Sequence, residues 1–144
     1  MSVVVLDASV NLAQVVPLPY SSQVDALMQR WRNERVRIIV PVLWEYEVVS
    51  GLRRACTHKI ITHESVEQAL NYLMDMRFEI FPGSLERHQR ALTWAEKLGQ
   101  SRAYDAQYMS LAEEFGAMLW TGDRRLANGA SQLGVPWVKW VGDA

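Results

Sequence analysis

The chain has 144 residues, 49% hydrophobic and 22% charged, with a formal net charge of −1. That length and balance fit one domain, residues 1–144, around a single core, and the near-neutral charge excludes a protein that grips nucleic acid by bulk positive charge. The single cysteine, Cys56, excludes an internal disulfide and fits a reducing cytoplasm; His58, His63 and His88 have no partner at ligand spacing, which argues against zinc.

The first strand candidate, VVVL (Val3 to Leu6), runs directly into Asp7. No basic region precedes it, so this end reads as sheet and not as a signal peptide. A helical pattern near Ser22 to Trp31 follows, then the strand RIIV (Arg37 to Val40) and helices at Val42 to Cys56 and His63 to Met76. The strand RFEIF (Arg77 to Phe81), helices at Leu85 to Leu98 and Ala103 to Phe115, and the strands MLWT (Met118 to Thr121) and WVKW (Trp137 to Trp140) complete the series. The longest apolar run, Ile38 to Trp44, is far too short to span a membrane. Strands alternating with helices predict an α/β fold, three layers α/β/α, with a central, mostly parallel sheet. The continuous apolar character of VVVL and RIIV predicts burial on both faces.

In such a sheet, ligands bind beyond the carboxyl ends of the strands. Asp7 directly follows the first strand, and Asp123 follows MLWT after one glycine. Either could cap a following helix, as could Ser9, and Asp105 could complement a helix dipole from the first turn. At 100° per residue, however, Tyr104, Tyr108, Leu111 and Phe115 form one apolar stripe, and Asp105 lies at its margin, turned inward. A carboxylate turned toward a core needs a partner or a cation.

Glu45 and Glu47 stand two apart on one helix and cannot both serve one site. Periodicity leaves both open; the small residues Ser50 and Gly51 on the side of Glu47 favour Glu47. Several carboxylates converging at strand ends repel one another. A divalent cation resolves that repulsion, and all-oxygen ligands suit Mg²⁺ or Mn²⁺. Such a site handles phosphate esters, with Arg54, Arg124 and Arg125 in reach of flanking phosphates. The cluster Arg30, Arg32, Arg35 and Arg37 reads as a solvated helix end. The six tryptophans read chiefly as core and sheet packing.

These residues resemble the PIN-domain ribonucleases, most closely the VapC-like toxins of toxin–antitoxin pairs. VVVLDASV is similar to the family's first strand with its metal-binding Asp, which falls on Asp7. YEVVSGLRRA is similar to the acidic helix and selects Glu47 over Glu45; SRAYDAQYMSLAEEFG gives Asp105 and LWTGDRRL gives Asp123. Thr121 and Ser9 stand where the family has polar helpers, and Ser50-Gly51 departs from the commoner Asn-Ala. The resemblance covers nearly the whole chain. It implies Mg²⁺- or Mn²⁺-dependent RNA cleavage with no covalent nucleophile, a homodimer, an antitoxin partner and a cytoplasmic setting. A non-toxin role in RNA processing fits the same family. A haloacid-dehalogenase-like phosphatase needs a second Asp two residues after the first, where this chain has Ser9. A catalytically idle binding module would have no use for four intact acids.

Overall fold

The computed structural model describes residues 2–144. Its strands are β1 (Val3–Leu6), β2 (Arg37–Pro41), β3 (Glu79–Phe81), β4 (Met118–Thr121) and β5 (Val138–Trp140). They form one sheet in the order β3–β2–β1–β4–β5, with each neighbouring pair parallel. The helices are α1 (Ala8–Leu12), α2 (Ser21–Asn33), α3 (Leu43–Thr57), α4 (His63–Met74), α5 (Leu85–Leu98), α6 (Asp105–Phe115) and α7 (Arg124–Gln132), and a 3-10 turn spans Val141–Asp143.

Side chains alternate across a strand, and the two faces of this sheet carry different apolar sets. Val5, Ile39, Leu119 and Val138 lie in one cluster with Trp44, Val48 and Leu52 of α3, Leu73 of α4, Trp94 of α5 and Tyr108, Met109 and Leu111 of α6. Val4 and Leu6 turn the other way and pack with Val24, Leu27, Met28 and Trp31 of α2 and with Val141. The short α1 contributes Ala8 to the first cluster and Val10 to the second, which Ala13, just past its end, joins. The result is the expected three-layer α/β/α arrangement. Trp31, Trp44 and Trp94 are at most 6% exposed, in keeping with packing roles.

Three element ends fall two residues short of the expected boundaries, two of them where the backbone turns left-handed. Pattern starts the third strand at Arg77, but Arg77 has φ 52°, so it closes the turn after α4 and the strand begins at Glu79. The same turn ends α4 at Met74 instead of Met76. The helix expected from Ala103 begins at Asp105, leaving Tyr104 outside it and 56% exposed. Gly99, Gly116 and Gly134 take positive φ after α5, α6 and α7, as glycine does without steric cost. After α2, α3 and α4 the equivalent residues are Arg35, Lys59 and Arg77, at 56°, 59° and 52°. For a residue with a Cβ that conformation costs about 1–2 kcal/mol.

The order of strands sets the site. From β1 the chain moves outward to β2 and β3, then returns to the other side of β1 for β4 and β5. The crevice beyond the ends of β1 and β4 is thus a topological switch point, the favoured ligand position in open α/β sheets. Asp7 and Asp123 lie there. Next to it, α3 is fixed against α1 at two points. The indole Nε1 of Trp44 donates to Oδ1 of Asn11 at 2.9 Å, both groups buried. Gly51 lies under Leu12 so closely that a Cβ would collide with its side chain. Gly51 thus does bring α3 close to a neighbour; Ser50 is exposed and takes no part.

Candidate metal centre

Asp7 follows β1 with extended backbone, and its N–H donates to Trp120 O at 3.2 Å, continuing the pairing with β4. It occupies the N-cap position of α1 but makes no capping hydrogen bond. Its carboxylate instead accepts from two hydroxyls, Ser9 Oγ on Oδ1 and Thr121 Oγ1 on Oδ2. Each hydroxyl is itself anchored: Gly122 N–H donates to Ser9 Oγ at 2.8 Å and Asp123 N–H donates to Thr121 Oγ1 at 2.9 Å. Both helper positions therefore act on the first Asp and lock the two loops together. Asp7 is 5% exposed. Burial lifts its carboxyl to about 7 against the pull of both hydroxyls, and the charges of Asp105 and Glu47 push the same way.

Glu47, on the second turn of α3, accepts from the Tyr108 hydroxyl at 2.6 Å. Tyr108 is 1% exposed and also shares a backbone hydrogen bond with Ala8, so one phenol links α3, α6 and the residue after Asp7. Burial, followed by the Glu47 and Asp7 charges, holds this hydroxyl well above its usual range; it remains a donor. The Glu47 carboxyl is raised by burial and by Asp105. Asp105 opens α6 and accepts from Gln100 Nε2 at 3.1 Å. Its carboxyl too is raised, mainly by burial and further by Asp123, with Arg125 opposing.

Asp123 does cap its helix: Oδ1 accepts from Arg125 N–H at 2.9 Å. Capping uses Oδ1 alone, and Oδ2 has no hydrogen-bond partner among the described residues, so the two roles are compatible. Among the three arginines named from sequence, Arg125 alone acts on the acids, through Asp105, with its Nε 4.0 Å from Asp123. The Arg124 guanidinium lies over the Trp140 ring at 4.7 Å, and Arg54 is exposed on α3.

Sequence reasoning misses Tyr108, Gln100 and Tyr20. The Tyr20 hydroxyl sits where a Cβ on Gly122 would lie, 2.6 Å away, and is raised by burial and by Asp7 and Asp123. Gly122 between Thr121 and Asp123 is the available signal for that close approach. Tyr108, three residues after Asp105 on a core-facing helix, is another: a buried phenol needs a hydrogen-bond partner.

The four acids thus sense one another as a chain of repulsions, Glu47 to Asp7 and to Asp105, and Asp105 to Asp123. Among the described residues no three of them close into a ready cage. Oxygen donors spread around an open mouth fit a hard divalent cation of the Mg²⁺ type, which keeps several waters and relies on a few carboxylates. They do not fit a soft metal. Two hollows, of about 620 and 580 Å³, are lined by other residues.

The description "PIN domain" belongs to a family model that matches residues 4–131. No protein of curated function matches the chain in sequence. The chain is similar in structure to PAE2754 from Pyrobaculum aerophilum, with TM-score 0.70 and 20% identity over 99% of this chain and 85% of that one. It is similar to VapC20 of Mycobacterium tuberculosis, a sarcin–ricin loop cleaving toxin, with TM-score 0.65 and 14% identity over 89% and 95%. VapBC2 from Rickettsia felis, solved bound to a DNA fragment from its promoter, aligns with TM-score 0.67 and 15% identity over 96% and 98%. At such identities the solved structures speak for the fold. The family model spans most of the chain and takes in all four acids, and on that ground the chain belongs to the PIN domain family.

Proposed function

We propose that the protein is a Mg²⁺- or Mn²⁺-dependent endoribonuclease that hydrolyses RNA phosphodiester bonds, acting as the toxin of a type II toxin–antitoxin pair. The observation that carries this reading is the buried Asp7 carboxylate, held by two anchored hydroxyls and facing the charges of Glu47 and Asp105. A fold keeps so unfavourable a charge where a cation compensates it. Asp7, Glu47, Asp105 and Asp123 would hold the ion, which when bound supplies charge neutralisation at the acids and polarisation of the phosphodiester. Ser9 and Thr121 orient Asp7, Tyr108 orients Glu47 and Gln100 orients Asp105. Arg125, 95% exposed at the mouth, is the cation for an adjoining phosphate.

The toxin role is supported by the VapC and VapBC neighbours, and those complexes support an antitoxin as partner. A homodimer belongs to the same proposal. Tyr46 and Val49 of α3 and Leu85 and Leu92 of α5 are large apolar side chains 51–74% exposed, the material of an interface. No helix among the described residues is long and apolar enough to cross a membrane, and a cytoplasmic setting accords with the single cysteine.

The test is cleavage of single-stranded and structured RNA by purified protein with EDTA, Mg²⁺ or Mn²⁺, wild type against Asp7→Asn. Cation-dependent cleavage lost in the variant is expected; no cleavage under any condition overturns the nuclease reading. Light scattering at micromolar concentration is expected to give a dimer, and a monomer would remove that part.

A further inference from the structure

The mouth that is to receive RNA is acidic, and one of its two neighbouring arginines is stacked on Trp140. Arg125 alone is left there for a phosphate, so a longer strand needs further cations away from the mouth. At the opposite end of the strands lies the hollow of about 620 Å³, between the ends of α2 and α4 and the starts of β2 and β3. Its lining includes Arg32, Arg35, Arg37 and Arg77 against Asp75 and Glu79, four cations to two anions, on a chain of net charge −1. Arg37 is bound to Glu79 by two hydrogen bonds, at 2.5 and 2.7 Å. Arg32, Arg35 and Arg77 have no ion-pair partner among the described residues.

The backbone gives a second, independent observation. Arg35 and Arg77 both hold the left-handed conformation that Gly99, Gly116 and Gly134 hold at other helix ends. A cation there favours the helix dipole, but α2 already carries Arg30 and Arg32 in its last turn. Two strained positions bring two arginines to one groove. Tyr72, 50% exposed on the same wall, offers a ring on which a base can stack.

We infer that this arginine groove is a second RNA contact, an anchor for the phosphate backbone of a single strand whose scissile bond lies at the acidic mouth. The inference rests on the nuclease reading for the identity of the polyanion. Val3 pairs with Arg37 at the groove end of the sheet and Asp7 lies four residues on, so the two ends are about 13 Å apart along the strands. Both faces of the sheet are covered, so a strand joining the two sites runs around the helices, over a path longer than about four stacked nucleotides and within the reach of about 20.

Arg35→Gly and Arg77→Gly remove the cations and relieve the backbone together, so loss of folding does not confuse the result. Binding is read by anisotropy of a fluorescein-labelled oligouridylate of about 20 nucleotides in EDTA across a salt series. Each arginine that leaves a phosphate lowers the salt slope by about 0.7, so the double variant is expected to show a slope lower by about 1.4 and to bind about tenfold more weakly at physiological salt. Its thermal midpoint is expected to rise. Arg53→Gln, an exposed α3 charge outside the groove, is expected to leave affinity and slope as they are. Unchanged affinity and slope in the glycine double variant overturn the groove. So does polyglutamate binding more tightly than the RNA in an arginine-dependent way, which would assign the groove to an acidic polypeptide. Cleavage by the wild type in Mg²⁺ is scored separately: RNA bound through the groove but never cut removes the nuclease reading and leaves the anchor standing.

Discussion

Replacing Asp7 by Asn should stabilise the metal-free protein while abolishing cleavage. The Asp7 carboxyl titrates near 7 in the fold and at 3.8 when free. At ~1.36 kcal/mol for each tenfold, holding it ionised above pH 7 costs about 4 kcal/mol. Between those two values the folded state binds more protons than the unfolded state, so stability falls as pH rises from about 4 to about 7. The raised Glu47 and Asp105 carboxyls act in the same direction. Asn carries no charge but loses one hydroxyl partner, since its amide end cannot accept from Ser9 or Thr121. Subtracting about 1–1.5 kcal/mol for that bond leaves a net gain of about 2–3 kcal/mol at pH 8. At ~3 °C per kcal/mol the thermal midpoint rises by about 6–9 °C. Urea and thermal melts in EDTA at pH 4 and pH 8 read this directly. The gain should be present at pH 8 and absent or reversed at pH 4. Mg²⁺ at about 100 times its Kd should then stabilise the wild type by ~2.7 kcal/mol and leave the variant unmoved. A wild type more stable than the variant at pH 8 in EDTA, or a difference independent of pH, would refute the reasoning.

Three further changes probe the supports. Thr121→Val keeps the shape but removes a donor to Asp7 and an acceptor for Asp123 N–H; it should cost about 2 kcal/mol, push the Asp7 carboxyl above 7 and weaken Mg²⁺ in calorimetry. Tyr108→Phe removes the 2.6 Å hydrogen bond to Glu47. That bond holds the carboxyl down, so the acid limb of the cleavage pH profile should move to higher pH, with about 1.5–3 kcal/mol lost in denaturant melts. Gly51→Ala drives a Cβ into the Leu12 side chain at a cost of about 1–3 kcal/mol, of which Ala's helix propensity returns about 1, a net loss of up to about 2 kcal/mol; the shift of α3 should lower kcat through Glu47 while Ala at the exposed Ser50 leaves both stability and kcat unchanged.

The layered fold is legible because its strands follow simple rules. Val3 to Leu6 and Met118 to Thr121 are strands at the expected limits, since apolar runs closed by Asp7 and by Gly122 have no other regular way to be buried. The boundaries that differ do so for reasons outside periodicity. At Arg77 a left-handed turn cuts short both α4 and β3, and arginine carries no signal for positive φ. At α1, only five residues long, the helix is too short for any period to emerge. Its existence depends on burying Val10 and Asn11 against the layers on either side.

The candidate site is legible to a different depth. Its acids sit at strand ends and on helix faces, positions that local pattern reveals, and the small Gly51 lies on the side of α3 chosen from sequence, where Glu47 meets Tyr108. What pattern cannot reveal is the direction of a hydrogen bond. Ser9 and Asp7 both resemble helix caps, yet the Asp7 side chain caps nothing and Ser9 bridges it to the β4 loop. Tyr108 is fourth in its helix and looks like core stripe, but its hydroxyl, sixty-one positions from Glu47 in the chain, sets the orientation of that carboxylate. Such hydrogen bonds arise from the switch point itself. Once β1 and β4 lie side by side, the hydroxyls after each strand have only the other strand's loop to bond to. The buried acid between them is therefore held by partners that no local window contains, and the charge it carries is what a cation must answer.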